Sequence, residues 1–301
     1  MILRANLLLL LTAIIWGFGF IAQRMGMDHM GPYFFNALRF LLGTVSLLPV
    51  CWLLRNKNTK PKPTRKQFWV LGCVTGIALS CGAVLQQAGL QFTTAGKAGF
   101  ITGLYLVIVP IIGFCLRQRI GWLTVLGAIL ATVGLYFLSV TAGFAIGQGD
   151  TLVLLGAVFW AIHVQIVGYA SRKVDPLQLA VVQYAICSGL NFILALIFED
   201  VSMGPVMDAA GPIIYAGLVS VGVAYTLQIV AQQHVEPSQA AILLSLEAVF
   251  AVLGGWMLLN ETLSGRELVG CMLMFAGMLL SQLPGLKRER DGHSKSVPGT
   301  D

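Results

Sequence analysis

The sequence predicts an all-α integral membrane protein of ten transmembrane helices, arranged as two inverted five-helix repeats. Three observations carry this. First, 57% of the 301 residues are hydrophobic and only 11% are charged, with a mean hydropathy of +0.82. A soluble domain carries about 25% charged residues, so this chain cannot cover itself with a water-compatible surface. Second, the apolar residues fall into runs of about 20, the length that crosses a bilayer. Third, the two halves of the chain repeat at a near-constant offset.

Taken in order, the runs place helices at 5–24, 32–54, 68–90, 96–116, 121–140, 151–170, 177–198, 211–231, 238–259 and 266–284. The first, Ala5 to Phe20 after Arg4, mimics a signal peptide, but it is long and lacks a small-residue cleavage site, so it is read as a span. Gly31-Pro32 opens the second and Pro61-Lys62-Pro63 precedes the third. The fourth begins with the small, polar stretch Thr93-Thr94-Ala95-Gly96-Lys97 and contains Gly103, Pro110 and Gly113 before stopping at Arg117 and Arg119. Membrane helices tolerate such interior Gly and Pro because neighbouring segments satisfy the freed backbone. Turn signals at Asp175-Pro176, Gly204-Pro205, Gly211-Pro212 and Glu236-Pro237 separate the later spans. The expected units are a first repeat at 1–140, a linker at 141–150, a second repeat at 151–284 and a disordered cytoplasmic tail at 285–301.

Basic residues orient the chain. With the N-terminus cytoplasmic, the inner segments hold Arg4, the cluster from Arg55 to Lys66, Arg117, Arg119, Arg172, Lys173 and the basic tail, whereas the outer ends hold only Arg24, Lys97 and Arg266. The positive-inside rule therefore expects both termini to be cytoplasmic, in a multi-pass protein of the cell (inner or plasma) membrane. The net charge of +6 reports this orientation and not a nucleic-acid face.

An offset of 144 brings Trp16 onto Trp160 and Pro32 onto Pro176; an offset of 143 brings Ala98 onto Ala241, Gly127 onto Gly270 and Gly134 onto Gly277. Each half has an odd number of spans, so the second copy lies upside down relative to the first. Inverted repeats of this kind serve alternating access, because exchanging the conformations of the two halves moves the opening from one side to the other.

The residues Ile15-Trp16-Gly17-Phe18, Pro32 with Arg39-Phe40, Thr93 to Ala98, Pro237-Ser238-Gln239-Ala240-Ala241, Ser245 to Phe250 and Asn260 to Ser264, in this order, resemble the drug/metabolite transporter superfamily in its EamA group over nearly the whole chain. The resemblance implies ten helices in two inverted repeats, and a cavity formed mainly by helices 1, 3, 4, 6, 8 and 9. It further implies movement of small metabolites, often amino acids and frequently outward. Many relatives carry Pro after the glutamate of the ninth span; Ala248 stands there, so the sequence supplies no proline kink.

Ionisable groups inside a bilayer cost about 2.5–3.5 kcal/mol on insertion scales unless paired or hydrated, which singles out a few residues. Arg39, two turns into the second span, either receives a substrate anion or is held by backbone carbonyls or an acidic neighbour. Lys97 either faces the cavity or snorkels to the interface. Glu247 either binds a substrate amine, carries a coupling proton or pairs across the halves. Glu261 is read as a cap or a solvated ion pair. His163, on the face of Trp160, is either a proton relay or a satisfied interface histidine. Trp16, Phe20 and Gln23 share one helix face, and with Trp160, Tyr105 and Tyr225 they either wall a pocket or pack helices. Gln86, Gln87 and Gln228 fall at nearly matching places in the repeat, as helix–helix glue or substrate hydrogen bonders. The six cysteines are read as small core hydrophobes.

These residues favour a secondary transporter and exporter of small metabolites. A facilitator or exchanger of organic anions or uncharged solutes is the alternative. A membrane enzyme lacks its HxxxD, HExxH or DDxxD cluster, and a channel its charge ring. With no nucleotide-binding loop, ATP is not expected to drive transport directly. No cofactor, metal or nucleic acid is expected. The expected partners are a small-molecule substrate, the lipid bilayer and, at most, a second copy of the chain in a homodimer.

Overall fold

The computed structural model describes residues 1–54, 63–139, 146–258 and 264–294, with side chains to residue 283 in the last helix. The elements are α1 (Ile2–Gly26), α2 (Pro32–Leu54), α3 (Arg65–Leu90), α4 (Ala95–Gly103), α5 (Tyr105–Cys115), α6 (Trp122–Ser139), α7 (Gln148–Ala170) and α8 (Pro176–Phe198). They continue with the short α9 (Gly204–Asp208) and α10 (Ala210–Ile214), a π-helical segment (Tyr215–Tyr225), α11 (Thr226–Ala231), α12 (Pro237–Leu244), α13 (Glu247–Leu258) and α14 (Gly265–Ser294). Among the described residues nine spans are long and apolar enough to cross a membrane, and Trp122–Leu138 is a shorter apolar helix. The protein is an all-α, multi-pass membrane protein.

Local chemistry sets the helix starts. The Thr64 and Thr94 hydroxyls accept from the backbone N–H groups of Gln67 and Lys97, and the Asp175 carboxylate accepts from Gln178, ahead of Pro176. Such N-caps satisfy donors that an α-helix leaves open. The N-terminus of α2 is capped from a distance: Glu199, just beyond α8, accepts from the N–H groups of Tyr33 and Phe34 at 2.7 and 2.8 Å. A carboxylate there also faces the positive end of the helix dipole.

Three features depart from unbroken helices. The fourth span breaks at Leu104 and the ninth at Ser245–Leu246, in corresponding parts of the two halves. The second break needs no proline: the Ser245 hydroxyl bonds the Ile242 carbonyl, and Leu246 and Ala248 donate to carbonyls three residues back. The eighth span is π-helical through its middle. In addition, α14 runs on to Ser294, so residues 285–294 continue the helix where an unfolded tail is expected from sequence. Residues 295–301, the basic positions of 55–62, the linker at 141–145 and Glu261 lie outside the described residues.

The packing is symmetric under exchange of the halves. α2 packs on α8 and α6 on α14, while α3 against α7 is matched by α1 against the eighth span. The α6–α14 contact shows why glycine is needed. A Cβ on Gly127 would lie 2.6 Å from the Gly277 carbonyl oxygen, and one on Gly134 would lie 2.7 Å from that of Gly270. Gly127 and Gly270 are repeat equivalents, as are Gly134 and Gly277, so the contact is self-complementary in the manner of a two-fold interface. Small residues allow the backbones to approach where no hydrophobic force drives helices together.

The outside of the bundle is apolar. Leu41, Val45 and Leu48 on α2, and Ile193, Leu196 and Ile197 on α8, are exposed. Amides and hydroxyls are inside, including Asn36, Gln86, Gln87, Gln183, Asn191 and Gln228. A large exposed apolar surface with a polar interior suits a lipid solvent.

Candidate functional site

A cavity lies where six spans meet. Trp16, Phe20 and Gln23 reach it from α1, Gln86 from α3, and Thr102 and Tyr105 from the two parts of the fourth span. Trp160 and Val164 come from α7, Ser220, Tyr225 and Gln228 from the eighth span, and Leu244 and Glu247 from the two parts of the ninth. The cavity volume is about 30 Å³, room for about two waters.

The helix breaks deliver the key groups. Tyr105 opens α5 after the Leu104 break and Glu247 opens α13 after the Ser245–Leu246 break. Discontinuous helices of this kind build binding sites near the bilayer midplane. The π-helical segment holds the opposite wall. Carbonyls of the segment accept from one face of α1: Thr12 Oγ1 donates to the Ala224 carbonyl at 3.2 Å, and Trp16 Nε1 donates to the Ser220 carbonyl at 3.3 Å. π-helical turns are rare and occur mostly at functional sites. Here the segment sets Tyr225 against Trp16 with ring centroids 4.4 Å apart, and against Trp160 at 6.0 Å.

Among the described residues Glu247 is the only charged one in the lining, and it is 3% exposed. Its carboxylate faces the Tyr105 hydroxyl, yet Oε1 and that hydroxyl complete no hydrogen bond of regular geometry. Oε1 of Gln23, Oε1 of Gln228 and Nε1 of Trp160 are likewise buried without a partner. Gln86 instead donates to Thr102 Oγ1 at 3.0 Å. Buried polar atoms are nearly always hydrogen-bonded, so such a concentration around one cavity is a signature of a ligand site.

The structure thus brings Trp16, Tyr105, Trp160, Gln86, Gln228 and Glu247 together. It does not bring Arg39, Lys97 or His163 to the cavity lining. Arg39 is buried in a polar network between α2, α3 and α8. Its Nε donates to Asn36 Oδ1 at 2.8 Å and its guanidinium lies 4.9 Å from the Phe40 ring centre. Asn36 in turn donates to the Ala83 carbonyl and to Asn191 Oδ1. Lys97 bonds Asp150 at 2.5 Å, and Asp150 also accepts from Thr93 Oγ1 and from the Gly147 N–H. His163 sits behind Trp160 and Tyr225, edge-on to both rings, with Nε2 3.0 Å from Gln183 Oε1. Gln87 donates to the Gln23 carbonyl and does not line the cavity.

Thr102, Val164, Ser220 and Leu244 complete the lining, and sequence reasoning alone does not single them out. The first two lie one turn from predicted residues (Thr102 three before Tyr105, Val164 four after Trp160), a helical spacing that marks them as neighbours. Asp150, the partner of Lys97, falls in the stretch that the sequence assigns to the linker. Of the cysteines, Cys187 and Cys271 are buried, while Cys115 is exposed on the bundle surface, contrary to a core role. Among the described residues no group of His, Cys, Asp and Glu could hold a metal ion.

Comparison with known proteins places this architecture. A transporter of Archaeoglobus fulgidus whose function is uncharacterized is 33% identical, over 93% of this chain and 86% of its own length. The uncharacterized transporter YoaV of Bacillus subtilis is 22% identical, covering 92% and 96%. The WAT1-related protein At3g02690 of Arabidopsis thaliana, chloroplastic, is 24% identical, covering 89% and 67%. One crystal structure superposes on 95% of this chain and 98% of its own with a TM-score of 0.77 at 19% identity, a likeness that shows the fold. The family model of EamA-like transporters matches twice, at residues 3–140 and 147–283. Spanning helices, two matched halves and a cavity between them thus meet in one chain, a membrane transporter that belongs to the EamA-like transporter family of the drug/metabolite transporter superfamily.

Proposed function

We propose that the protein is a secondary active transporter that moves a small organic metabolite, an amino acid or a related compound, by alternating access between two inverted repeats. Both termini face the cytoplasm of the cell membrane in this reading. The observation that carries it is the cavity itself, which draws on six spans from both halves and has room for about two waters.

Each end of the cavity has a bond that crosses between the halves. At the outer end Lys97 and Thr93 of the first half bond Asp150 of the second. At the inner end Gln118 of the first half donates to Gln165 of the second at 2.8 Å, and Gln165 donates to the Val109 carbonyl. Both being made describes an occluded state, and breaking one at a time exposes the cavity to one side. Flux through such a device saturates and shows counterflow. The test is uptake of labelled solutes (amino acids, amines, organic anions, nucleosides) into liposomes carrying the purified protein, with trans-loaded unlabelled solute. Saturable, trans-stimulated flux of any class supports the reading. Linear, non-competed flux of every solute, from protein shown to be folded, overturns it.

A further inference from the structure

We propose that the cavity receives an organic amine: a protonated primary or secondary amine on a small aromatic or apolar body, carrying no carboxylate. This rests on the transporter reading above and keeps, of the amino acids and related compounds named there, only the related amines.

Charge decides first. Glu247 is the one charged group in the lining, and it is a buried carboxylate. A carboxylate held away from water without a counter-ion is costly, and an ammonium beside it offsets that cost. The walls act in the same sense. Trp16 and Trp160 both pack on Tyr225, at 4.4 and 6.0 Å, and aromatic faces attract a cation, most strongly where water is excluded.

The unmatched hydrogen-bonding atoms add an independent argument. Oε1 of Gln23 and Gln228 are buried acceptors without a donor, and the Glu247 carboxylate faces only the Tyr105 hydroxyl, with which it completes no regular hydrogen bond. An ammonium supplies N–H donors and has no acceptor of its own. The donors left over are the Trp160 indole N–H and the Tyr105 hydroxyl, enough for a hydroxyl or ether oxygen elsewhere on the solute. A quaternary ammonium fits the charge but leaves the acceptors unmatched.

A carboxylate on the solute finds repulsion from Glu247 and no cation to receive it. The Arg39 guanidinium donates from Nε to Asn36 and lies over Phe40 with its Nη2 unmatched, and the Lys97 ammonium is bonded to Asp150; neither lines the cavity. A zwitterion with its carboxylate on Arg39 or Lys97 and its amine on Glu247 lacks half of its receptor in the lining.

A matched series isolates the charged groups on one ring: phenethylamine, its N,N,N-trimethyl derivative, phenylalanine, phenylpropionate and phenethyl alcohol. Binding is read by calorimetry on purified protein, and flux in liposomes. Phenethylamine is expected to bind at least tenfold more tightly than each of the others, and Glu247→Gln is expected to remove that tenfold margin over the alcohol. Equal or tighter binding of phenylalanine or phenylpropionate overturns the proposal, as does failure of phenethylamine to bind. The ligand series on the native protein decides between these outcomes even where Glu247→Gln does not fold. The amine class and the transporter reading also separate. Saturable flux of phenylalanine or phenylpropionate without the amine sinks the amine class and keeps the transporter. Selective amine binding with no flux of any solute does the reverse.

Discussion

The Lys97 ammonium lies 2.5 Å from a carboxylate oxygen of Asp150, and the contact joins the first matched half of the chain to the second. Asp150 is almost fully buried while the lysine keeps about a quarter of its side chain exposed. A partly exposed pair is worth about 0–1 kcal/mol, screened by solvent. It therefore biases a conformational equilibrium without locking it.

Lys97→Met and Asp150→Asn should each raise the outward-open population by up to about fivefold, the factor that corresponds to about 1 kcal/mol. The distance between spin labels at the exposed positions Phe92 and Ile146, in a background without native cysteines, reports the change. The swapped pair Lys97→Asp with Asp150→Lys should restore the native distribution. An unchanged distribution in both single variants means that the pair does not gate.

The inner bond should act with the opposite sign. Gln118→Ala removes the donor to Gln165 Oε1, a hydrogen bond worth about 1 kcal/mol net. The expected outcome is a larger inward-open population and faster thiol labelling of cysteines placed on the inner half of α7. Combining it with Asp150→Asn should return the balance towards the native one, because the two act on opposite arms of one equilibrium. Additive movement in one direction would show that the two ends are not linked.

The helical membrane fold was legible because composition and run length alone force it. The meeting of Trp16, Trp160, Tyr105, Gln86, Gln228 and Glu247 was legible from their isolation within apolar runs. Asp150 was hidden by its place just before the sixth run, where a carboxylate reads as a solvated helix start. The π-helical stretch at Tyr215–Tyr225 leaves no mark in the sequence, since it is held to α1, two hundred residues away, by the Thr12 and Trp16 side chains and by the Tyr215 hydroxyl, which donates to the Ile15 carbonyl. The break before Glu247 depends on Ser245 bonding its own turn and not on proline, so a proline search misses it.

Gly17 should be intolerant of any side chain. A Cβ there would fall 2.4 Å from the Phe250 Cβ and 2.8 Å from the Glu247 carbonyl oxygen. Overpacking of this kind costs about 1–3 kcal/mol. Gly17→Ala should therefore lower the melting temperature in detergent and also weaken solute binding, since α1 is pushed off the turn that presents Glu247. Gly96→Ala, where a Cβ meets nothing, is the control and should change neither. Native stability in Gly17→Ala would mean that α1 and α13 can separate freely.

Arg39 should prove to be a positioning residue. Its Nε donates to Asn36 Oδ1, and Asn36 joins α2 to α3 and α8, so Arg39→Ala strands a buried acceptor at a cost of about 1–3 kcal/mol. Arg39→Lys keeps the charge but loses the planar fork and the stacking on Phe40. Both variants should lower thermal stability, the alanine more than the lysine, while the folded fraction keeps the native KM for flux. A raised KM with native stability would move Arg39 into the binding site.

Of the two expected proton carriers, Glu247 stands in the cavity and His163 behind its aromatic wall, with Nε2 on Gln183. Under the proposed function, a single carboxylate that holds either a proton or a solute ammonium, never both, exchanges one for the other as access alternates. An imposed pH gradient should then drive uphill flux in the native protein. Glu247→Gln, which stays neutral throughout, should lose that response even at solute concentrations that restore occupancy. His163→Gln keeps a polar partner for Gln183 and should keep the gradient response. If Glu247→Gln still follows the gradient and His163→Gln does not, the coupling proton travels behind the wall and not through the solute's own site.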